Sequence, residues 1–346
     1  MRDVKAYAIM TIGEPLAPLT IQRRDLGPKD VMIEIEYCGI CHTEVHFADG
    51  EFPAPEYPLV PGHEIAGVVT EVGPEVTKHK IGDRVGIGCM VNSCGACGAC
   101  EKGEEQYCFN GTIIVYQSPD VDGRMTQGGF SSHIPCHEDF VLKIPDALDS
   151  KTAAPLLCGG ITVYSPLRHW NVGPGTKVAV VGLGGLGHYA VKMAVELGAD
   201  VTVLSQTLKK RDDALRMGAT ELYATSDPET WTTLHNTFDF ILNTVAVTID
   251  VDAYLRLLTL DGHLVSVGAP MTPMPVNVWS LMNNRRSYSG SQIGSIKETQ
   301  EMLDFCAERG IAGEIEVIPV SYINDSFPRI VNSDVRYRFV VDMSTL

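Results

Sequence analysis

The chain has 346 residues, 45 % of them apolar, and its formal net charge at pH 7 is −16. This length exceeds what a single hydrophobic core usually organises and predicts two globular domains. The negative charge argues against broad surfaces for nucleic acid or anionic membranes, because such surfaces depend on clustered lysine and arginine.

The start of the chain, MRDVKAYAIM, is too polar for a signal peptide, and no apolar run approaches the length of a membrane span. A reducing cytoplasm is therefore the expected location. In that compartment, regularly spaced cysteines indicate metal binding more strongly than disulfide bonds. Six of the ten cysteines are therefore candidate metal ligands, and the other four, Cys38, Cys89, Cys136 and Cys306, are expected to be small buried residues.

Short segments of alternating hydrophobicity, separated by glycine and proline, dominate roughly the first 150 residues. Residues 31–37, 65–72 and 83–87 have this pattern, which predicts antiparallel strands. Residues 43–48 form a short helix candidate. This part of the chain is therefore predicted to fold as a twisted, barrel-like β domain.

Residue types that bind zinc lie beside these strands. Cys41 follows the first strand, and the adjacent residues His63 and Glu64 precede the second. Together with Cys158 they offer thiolate, imidazole and carboxylate ligands, and three protein ligands with one exchangeable position are typical of a catalytic zinc. The alternatives are a solvated turn at His63 and Glu64 and a core cysteine at Cys158.

A second group of cysteines lies in one short segment, at Cys94, Cys97, Cys100 and Cys108. Glycines between them permit the tight turns that such a group needs. A complete thiolate shell leaves no vacant position, so the pattern predicts a structural zinc in a lobe at about residues 89–110. A four-iron cluster is the alternative, although the spacing differs from that of ferredoxins.

Strands and helices alternate from about residue 151 onward. Helices are predicted at 153–164, 188–197 and 209–217, and the apolar run 177–181 is typical of a buried parallel strand. Further strands are predicted at 200–204, 238–242 and 264–267. This alternation predicts right-handed strand–helix–strand units in a doubly wound parallel sheet.

A glycine-rich turn follows the predicted strand 177–181 and opens the next helix. Its residues are Gly182, Leu183, Gly184, Gly185, Leu186 and Gly187. This strand–turn–helix context is what the dinucleotide-binding motif requires, because the helix N-terminus can then bind a pyrophosphate. The turn is therefore predicted to bind a dinucleotide.

The end of the next strand indicates which dinucleotide binds. Enzymes that use NAD usually have an acidic residue there, which binds the ribose hydroxyls and repels a 2′-phosphate. This chain instead has Ser205 and Gln206, followed by Lys209 and Lys210. A hydroxyl, an amide and cations suit a phosphate, so NADP(H) is predicted over NAD(H). The alternative for the lysines is a solvated start of a helix.

The last residues of the chain are expected to return to the first domain. They include a predicted helix at 296–308 and predicted strands at 314–317 and 338–342. The predicted division is therefore residues 1–153 with 294–346 for one domain and residues 154–293 for the other.

Several of these segments resemble one family. The segment GHEIAG at 62–67 resembles the signature of zinc-containing medium-chain alcohol dehydrogenases. Essentially the whole chain is similar to the cinnamyl alcohol dehydrogenase branch of that family, through CHT at 41–43, TQGGF at 126–130 and DVRYRFV at 334–340. The resemblance implies an α/β fold, with a GroES-like catalytic domain and a Rossmann cofactor domain, two zinc ions per chain and NADP(H).

The resemblance also implies roles for individual residues. It makes Cys41, His63 and Cys158 ligands of the catalytic zinc, with Glu64 as a fourth that alternates with water or substrate. Thr43 and His46 would then form a proton relay through the cofactor ribose. Family correspondence implies further cofactor contacts at Thr162, Thr244, Gly268, Ser291, Gln292 and Ile293.

The implied activity is zinc-dependent interconversion of primary alcohols and aldehydes, as a broad-specificity aldehyde reductase and a homodimer. Phe47, Cys89, Ile113 and Ala269 are candidates for the substrate pocket. Plant members favour an aromatic residue where this chain has Ile113, which argues against a dedicated role in forming lignin precursors. The alternatives are a polyol or secondary alcohol dehydrogenase and a catalytically silent dinucleotide-binding protein.

Overall fold

The computed structural model describes residues 1–54 and 56–346. The chain divides into two compact units, one formed by Met1–Ile161 with Gly294–Leu346 and the other by Thr162–Ile293. The first boundary lies inside a helix, Gly159–His169. Because a compact unit is not by itself a domain that folds independently, the predicted domain division stays a prediction.

The first unit is built mainly from β-strands. Its largest sheet has the strand order Ile315–Pro319, Arg338–Asp342, Asp30–Ile40, Ile65–Val72, Arg84–Ile87 and Leu142–Lys143, and His133–His137 also pairs with Asp30–Ile40. Two smaller sheets pair Arg2–Ala8 with Ala17–Arg23, and Met90–Asn92 with Ile113–Ile114. The helices of this unit include His42–Ala48, Ser150–Ala153, Ile296–Arg309 and Ile323–Val331.

The strand Asp30–Ile40 organises the first unit. It pairs antiparallel with Ile65–Val72, with His133–His137 and with the late strand Arg338–Asp342. Its consecutive apolar side chains Val31, Met32 and Ile33 are all buried. The last strand of the chain therefore completes the sheet that carries the residues around Cys41.

The second unit is a parallel sheet with helices. Its strand order is Glu221–Ala224, Asp200–Ser205, Lys177–Val181, Phe238–Asn243, Leu258–Ser266 and Ser287–Gly290, with every neighbouring pair parallel. Its helices include Gly187–Glu196, Arg211–Arg216, Pro228–Thr233, Val251–Leu255 and Val278–Met282. This order, with the first strand in the middle and the order reversing beside it, is typical of a Rossmann dinucleotide-binding fold.

The predicted continuous helix at 153–164 is wrong. A 3-10 turn at Ala154–Leu157 ends at Cys158, whose φ of −127° and ψ of −67° are not helical, and the α-helix begins again at Gly159. The predicted helix at 209–217 likewise begins as a 3-10 turn, Leu208–Lys210, before Arg211–Arg216. The strands at 65–72, 177–181 and 338–342 are confirmed to the residue.

Within residues 1–54 and 56–346, none of the helices combines the length and the apolar character that crossing a membrane requires.

Candidate zinc and dinucleotide sites

Four residues of the first unit converge on one point. The ligand atoms of Cys41, His63, Glu64 and Cys158 all lie within 4.8 Å of one another, and we call these residues the mixed cluster. His63 Nε2 is 3.1 Å from Cys158 Sγ. Two thiols, an imidazole and a carboxylate are donors that suit zinc, so the arrangement can hold that ion.

Local structure explains how these side chains meet. Cys41 is the N-cap of the helix His42–Ala48, directly after the strand Asp30–Ile40. His63 and Glu64 precede the strand Ile65–Val72, which pairs with that same strand. Cys158 lies at the break before the helix Gly159–His169. The break therefore occurs at the one cysteine of this segment that joins the mixed cluster.

One oxygen of the Glu64 carboxylate is positioned to bind a cation. Its Oε1 accepts a hydrogen bond from Arg338, whereas its Oε2 is buried and has no hydrogen-bond partner among the described residues. Burying an unsatisfied carboxylate oxygen is costly. A Cβ atom at Gly39 would lie 1.9 Å from this Oε2, so glycine at that position makes room for it. A metal ion beside Oε2 would satisfy the oxygen.

The ease with which the Cys41 thiol loses its proton also favours metal binding. Hydrogen bonding from Cys158 holds the pKa of Cys41 well below the ordinary thiol value, despite burial. Burial raises the pKa of Glu64 to about 7, although the charge of Arg338 opposes this shift. A thiol of lowered pKa is readily available as the thiolate, which is the form that binds metal.

Two buried residues behind His63 were missed by the sequence analysis. Glu44 Oε1 is 2.6 Å from His63 Nδ1, and Tyr116 Oη is 3.2 Å from the same nitrogen. Ligands of zinc commonly have such partners, which fix the orientation of the imidazole. The only sequence signal was an acidic residue three positions after Cys41, and nothing in the sequence pointed to Tyr116.

The predicted relay residues lie on the helix that Cys41 caps. Thr43 Oγ1 is 3.5 Å from Cys41 Sγ. His46 lies three positions after Thr43 on the same helical face and hydrogen-bonds through Nδ1 to Glu51. Glu51, which the sequence analysis missed, has a half-exposed side chain. This arrangement leads from the mixed cluster toward solvent, but the relay itself stays a prediction.

The predicted pocket residues lie in different places. Phe47 is buried and packs edge-on against Tyr116, with ring centroids 5.4 Å apart. The Cys89 thiol hydrogen-bonds with Cys158, which holds the pKa of Cys89 below its ordinary value. Ile113 is partly buried in a short strand, and Ala269 is exposed in the second unit. Phe47 and Cys89 are thus linked by these contacts to the mixed cluster.

The other four cysteines form a separate cysteine cluster. The sulfur of Cys97 is 3.6 Å from that of Cys100 and 4.0 Å from that of Cys108, and Cys94 and Cys100 are 3.9 Å apart. Four zinc–sulfur bonds of about 2.3 Å in a tetrahedron would separate the sulfurs by about 3.8 Å. Backbone hydrogen bonds from Cys100 and Phe109 lower the pKa of Cys97 to about 6. The cluster therefore fits a zinc ion with a complete thiolate shell.

The glycine turn of the second unit has the geometry that its sequence predicts. Gly182 has a φ of +89°, and a Cβ atom at Gly187 would lie 2.0 Å from the carbonyl oxygen of Gly182. At Gly184, by contrast, an added Cβ would meet no described atom within 4 Å. One glycine thus supplies the turn, another allows close packing, and the middle one leaves the backbone open to a ligand.

Further predicted cofactor residues follow the strands of this sheet. Thr244 comes directly after Phe238–Asn243 and donates a hydrogen bond to the Val181 carbonyl oxygen, at 2.7 Å. Ser291, Gln292 and Ile293 follow the edge strand Ser287–Gly290, and Gly268 follows Leu258–Ser266. These positions share the carboxyl edge of the sheet with the glycine turn, where α/β folds bind ligands. Thr162 lies elsewhere, in the helix Gly159–His169.

The predicted phosphate residues lie beside the glycine turn. Ser205 ends the strand Asp200–Ser205, and the exposed residue Gln206 follows it. Lys210 Nζ donates to the Leu183 carbonyl oxygen at 2.8 Å, whereas the Lys209 residue is exposed. The next cation, Arg211, makes two 2.8 Å hydrogen bonds to Glu221. Ser205 and the two lysines therefore carry the phosphate hypothesis.

Comparison with known proteins gives the family. Residues 27–146 match the alcohol dehydrogenase GroES-like domain, and residues 185–308 match the zinc-binding dehydrogenase model. The chain is 58 % identical, over 347 aligned positions, to an NADP-dependent alcohol dehydrogenase C 1 of Mycolicibacterium smegmatis, covering 100 % of this chain and 99 % of that protein. The chain belongs to the zinc-dependent medium-chain alcohol dehydrogenases.

Solved structures confirm the fold of this alcohol dehydrogenase. A cinnamyl alcohol dehydrogenase of Sorghum bicolor superposes with a TM-score of 0.96 at 40 % identity, covering 99 % of this chain and 98 % of that one. A cinnamyl alcohol dehydrogenase of Helicobacter pylori, solved with NADP(H), gives 0.93 at 41 % identity with the same coverage. The α/β fold class, with GroES-like and Rossmann parts, and the branch inferred from the sequence are thus confirmed.

Proposed function

We propose that this alcohol dehydrogenase interconverts primary alcohols and aldehydes with NADP(H), and that it acts chiefly as an aldehyde reductase of broad specificity. One observation carries this proposal. The ligand atoms of Cys41, His63, Glu64 and Cys158 all lie within 4.8 Å of one another. The family, the glycine turn and the NADP-dependent relative support the choice of cofactor.

The mixed cluster would hold the catalytic zinc, and the cysteine cluster would hold a structural zinc. When bound, the catalytic ion supplies Lewis-acid chemistry that polarises an aldehyde carbonyl toward hydride from NADPH. Cys41, His63 and Cys158 would serve as its constant ligands. Glu64 would alternate with water or substrate, and its bond to Arg338 would hold the carboxylate in place when it is not a ligand.

The chain's own residues would supply the proton that reduction of an aldehyde consumes. A threonine hydroxyl can both accept and donate a proton, which suits Thr43. An imidazole ring has one nitrogen that donates and one that accepts, which suits His46. Glu51 would orient the His46 ring through its hydrogen bond to Nδ1. Because the Glu51 side chain is half exposed, protons from solvent can reach this end of the relay.

The second unit would bind NADP(H) along the carboxyl edge of its sheet. The glycine turn from Gly182 to Gly187 would bind the pyrophosphate at the start of the helix Gly187–Glu196. Ser205 and Gln206 would contact the 2′-phosphate by hydrogen bonds, with Lys209 and Lys210 as cations. The remaining cofactor contacts would come from Thr162, Thr244, Gly268, Ser291, Gln292 and Ile293.

The protein would work as a homodimer assembled through the second unit. On the short helix Val278–Met282, Val278, Trp279 and Met282 are each more than 60 % exposed. Adjacent exposed apolar side chains of this size commonly mark protein interfaces. The helix immediately precedes the segment that leads to the edge strand Ser287–Gly290, and edge strands readily pair with a second copy.

The test is a set of initial rates with NADPH and NADH on aliphatic and aromatic aldehydes, together with the zinc content of the same sample. The proposal predicts two zinc ions per chain, rapid reduction with NADPH and much slower reduction with NADH. A protein that holds both zinc ions but reduces none of the aldehydes would contradict the proposed activity and favour a silent dinucleotide-binding protein.

A further inference from the structure

The hydroxyl group of Tyr116 lies beside the mixed cluster, on the Nδ1 side of His63, and is not one of the four candidate ligands. Tyr116 is 3 % exposed, and its hydroxyl donates to Glu44 Oε1 at 3.0 Å. The same hydroxyl is 3.2 Å from His63 Nδ1. A buried hydroxyl group needs a hydrogen-bond partner. Here the two nearby groups are the proposed zinc ligand His63 and the carboxylate of Glu44, which contacts it.

Glu44 connects two residues of the mixed cluster, His63 and Cys41. Its Oε2 accepts the backbone N–H of Cys41 at 2.7 Å, while Oε1 accepts from His63 Nδ1 at 2.6 Å. The Glu44 side chain is fully buried, so its carboxyl oxygens need these hydrogen-bond donors. Tyr116 supplies the remaining donor to Oε1.

This arrangement fixes which nitrogen of His63 is available to a metal. Because Nδ1 donates its hydrogen to Glu44, the lone pair is on Nε2, the nitrogen that lies 3.1 Å from Cys158 Sγ. Partners of this kind set the tautomer and the ring orientation of a zinc-binding histidine. The carboxylate can do so only if it is itself held in position.

We propose that Tyr116 is a positioning residue, whose hydroxyl group holds the Glu44 carboxylate so that His63 presents Nε2 to zinc. The inference rests on the proposed function, since it takes His63 as a zinc ligand. Tyr116 acts through Glu44 and contacts neither the reacting atoms nor the cofactor in this account.

The tyrosine ring also has a packing role, which must be separated from that of the hydroxyl. The ring meets Phe47 edge-on at 5.4 Å and lies 5.8 Å from the His63 ring, measured between centroids. Tyr116→Phe keeps these ring contacts and removes only the oxygen atom. Tyr254→Phe is the matched control, because it removes a hydroxyl from a buried tyrosine in the core of the second unit.

The experiment follows zinc transfer from the purified protein to a chromogenic chelator. The cysteine cluster provides an internal standard, because its zinc should be released at the same rate in every variant. We expect Tyr116→Phe to release the other zinc about 10-fold faster than wild type, as for other partners of metal ligands. Tyr254→Phe should match the wild type for both ions.

Two further readouts distinguish positioning from a general loosening of the fold. If Tyr116 acts through Glu44, Tyr116→Phe should add little to the effect of Glu44→Gln, because changes in one network are not additive. Protein whose mixed cluster is loaded with Co²⁺ should also show altered visible absorption bands in Tyr116→Phe. Tyr254→Phe should leave that spectrum unchanged.

Faster release of one zinc, together with non-additive variants and a changed cobalt spectrum, supports the proposal. Wild-type release and a wild-type spectrum in Tyr116→Phe, or effects of the two variants that multiply, would overturn it while leaving the proposed function intact. A wild-type protein that holds only the zinc of the cysteine cluster would overturn both.

Discussion

At the scale of single residues, the sites depend on atoms that approach unusually closely. Gly39 leaves space for the Glu64 carboxylate, and Gly187 allows its helix to begin against the carbonyl group of Gly182. In each place an added methyl group would collide with the atom that the site requires. At Ser205 the small neutral side chain matters for its charge, because an acidic side chain there would repel a phosphate.

Changing Ser205 to aspartate tests the cofactor assignment. Ser205→Asp should shift preference toward NADH by at least about 10-fold in the ratio of kcat/KM values, because the new charge repels the 2′-phosphate and can accept hydrogen bonds from ribose hydroxyls. Ser205→Asn has a similar size without the charge and should shift the ratio much less. Equal shifts in the two variants would mean that charge at residue 205 does not select the cofactor.

The sequence predicted the residues of the mixed cluster but not the residues that support them. Local sequence patterns contain three of them, since Cys41 follows a strand pattern and His63 and Glu64 lie in the segment GHEIAG. Arg338, by contrast, is 274 positions from Glu64, and Tyr116 is 72 positions from Glu44. Such contacts arise only when the strand Arg338–Asp342 and the segment after the cysteine cluster take their places in the first unit, so no local pattern reveals them.

At the scale of elements, strongly patterned strands were predictable and interrupted helices were not. The run Lys177–Val181 is buried at each residue after Lys177, and Ile65–Val72 is buried mainly in its first half. The segment before Gly159 has helix-forming residues, yet the backbone leaves the helical region at Cys158. Local propensity therefore does not predict this break. The short strand Glu221–Ala224 was missed, because four residues carry too little pattern.

The cysteine cluster should stabilise its lobe through the metal. Cys97→Ser should remove one zinc per chain and lower Tm by about 5 °C or more, because metal binding contributes folding free energy in a lobe with few buried apolar side chains. Cys306→Ala, at a buried cysteine outside both clusters, should keep two zinc ions. Calorimetry would measure Tm, and metal analysis of the same samples would measure the zinc content. Unchanged Tm after loss of that zinc would contradict a structural role.

At the scale of the whole molecule, the two compact units are made from unequal stretches of chain. The first unit includes both ends of the sequence, because Arg338–Asp342 pairs with Asp30–Ile40. The second is one continuous stretch whose parallel strands follow the order of a dinucleotide-binding fold. Alternating strand and helix patterns predicted the second unit well, whereas the pairing partners of the return strands could not be read from the sequence.

Introducing one negative charge on the helix Val278–Met282 tests the proposed dimer surface. Trp279→Glu should weaken dimerisation at least about 30-fold, as expected when an aromatic anchor worth about 2 kcal/mol is lost from an interface. Ile81→Glu introduces the same charge at a similarly exposed apolar residue of the first unit and should leave the dimer intact. Light scattering over a range of concentrations would measure both. A monomeric wild type, or a fully dimeric Trp279→Glu, would contradict the proposed surface.

In the proposed function, aldehyde reduction depends on a zinc ion that Cys41, His63 and Cys158 hold. The most direct measurement is zinc content, NADPH affinity and reductase rate on the same sample of wild type and Cys41→Ser. We expect the variant to lose one of two zinc ions and at least about 1000-fold of its rate, equivalent to about 4 kcal/mol of barrier, while NADPH affinity changes less than about twofold. Retained turnover in a variant that has lost this zinc would contradict the proposed function.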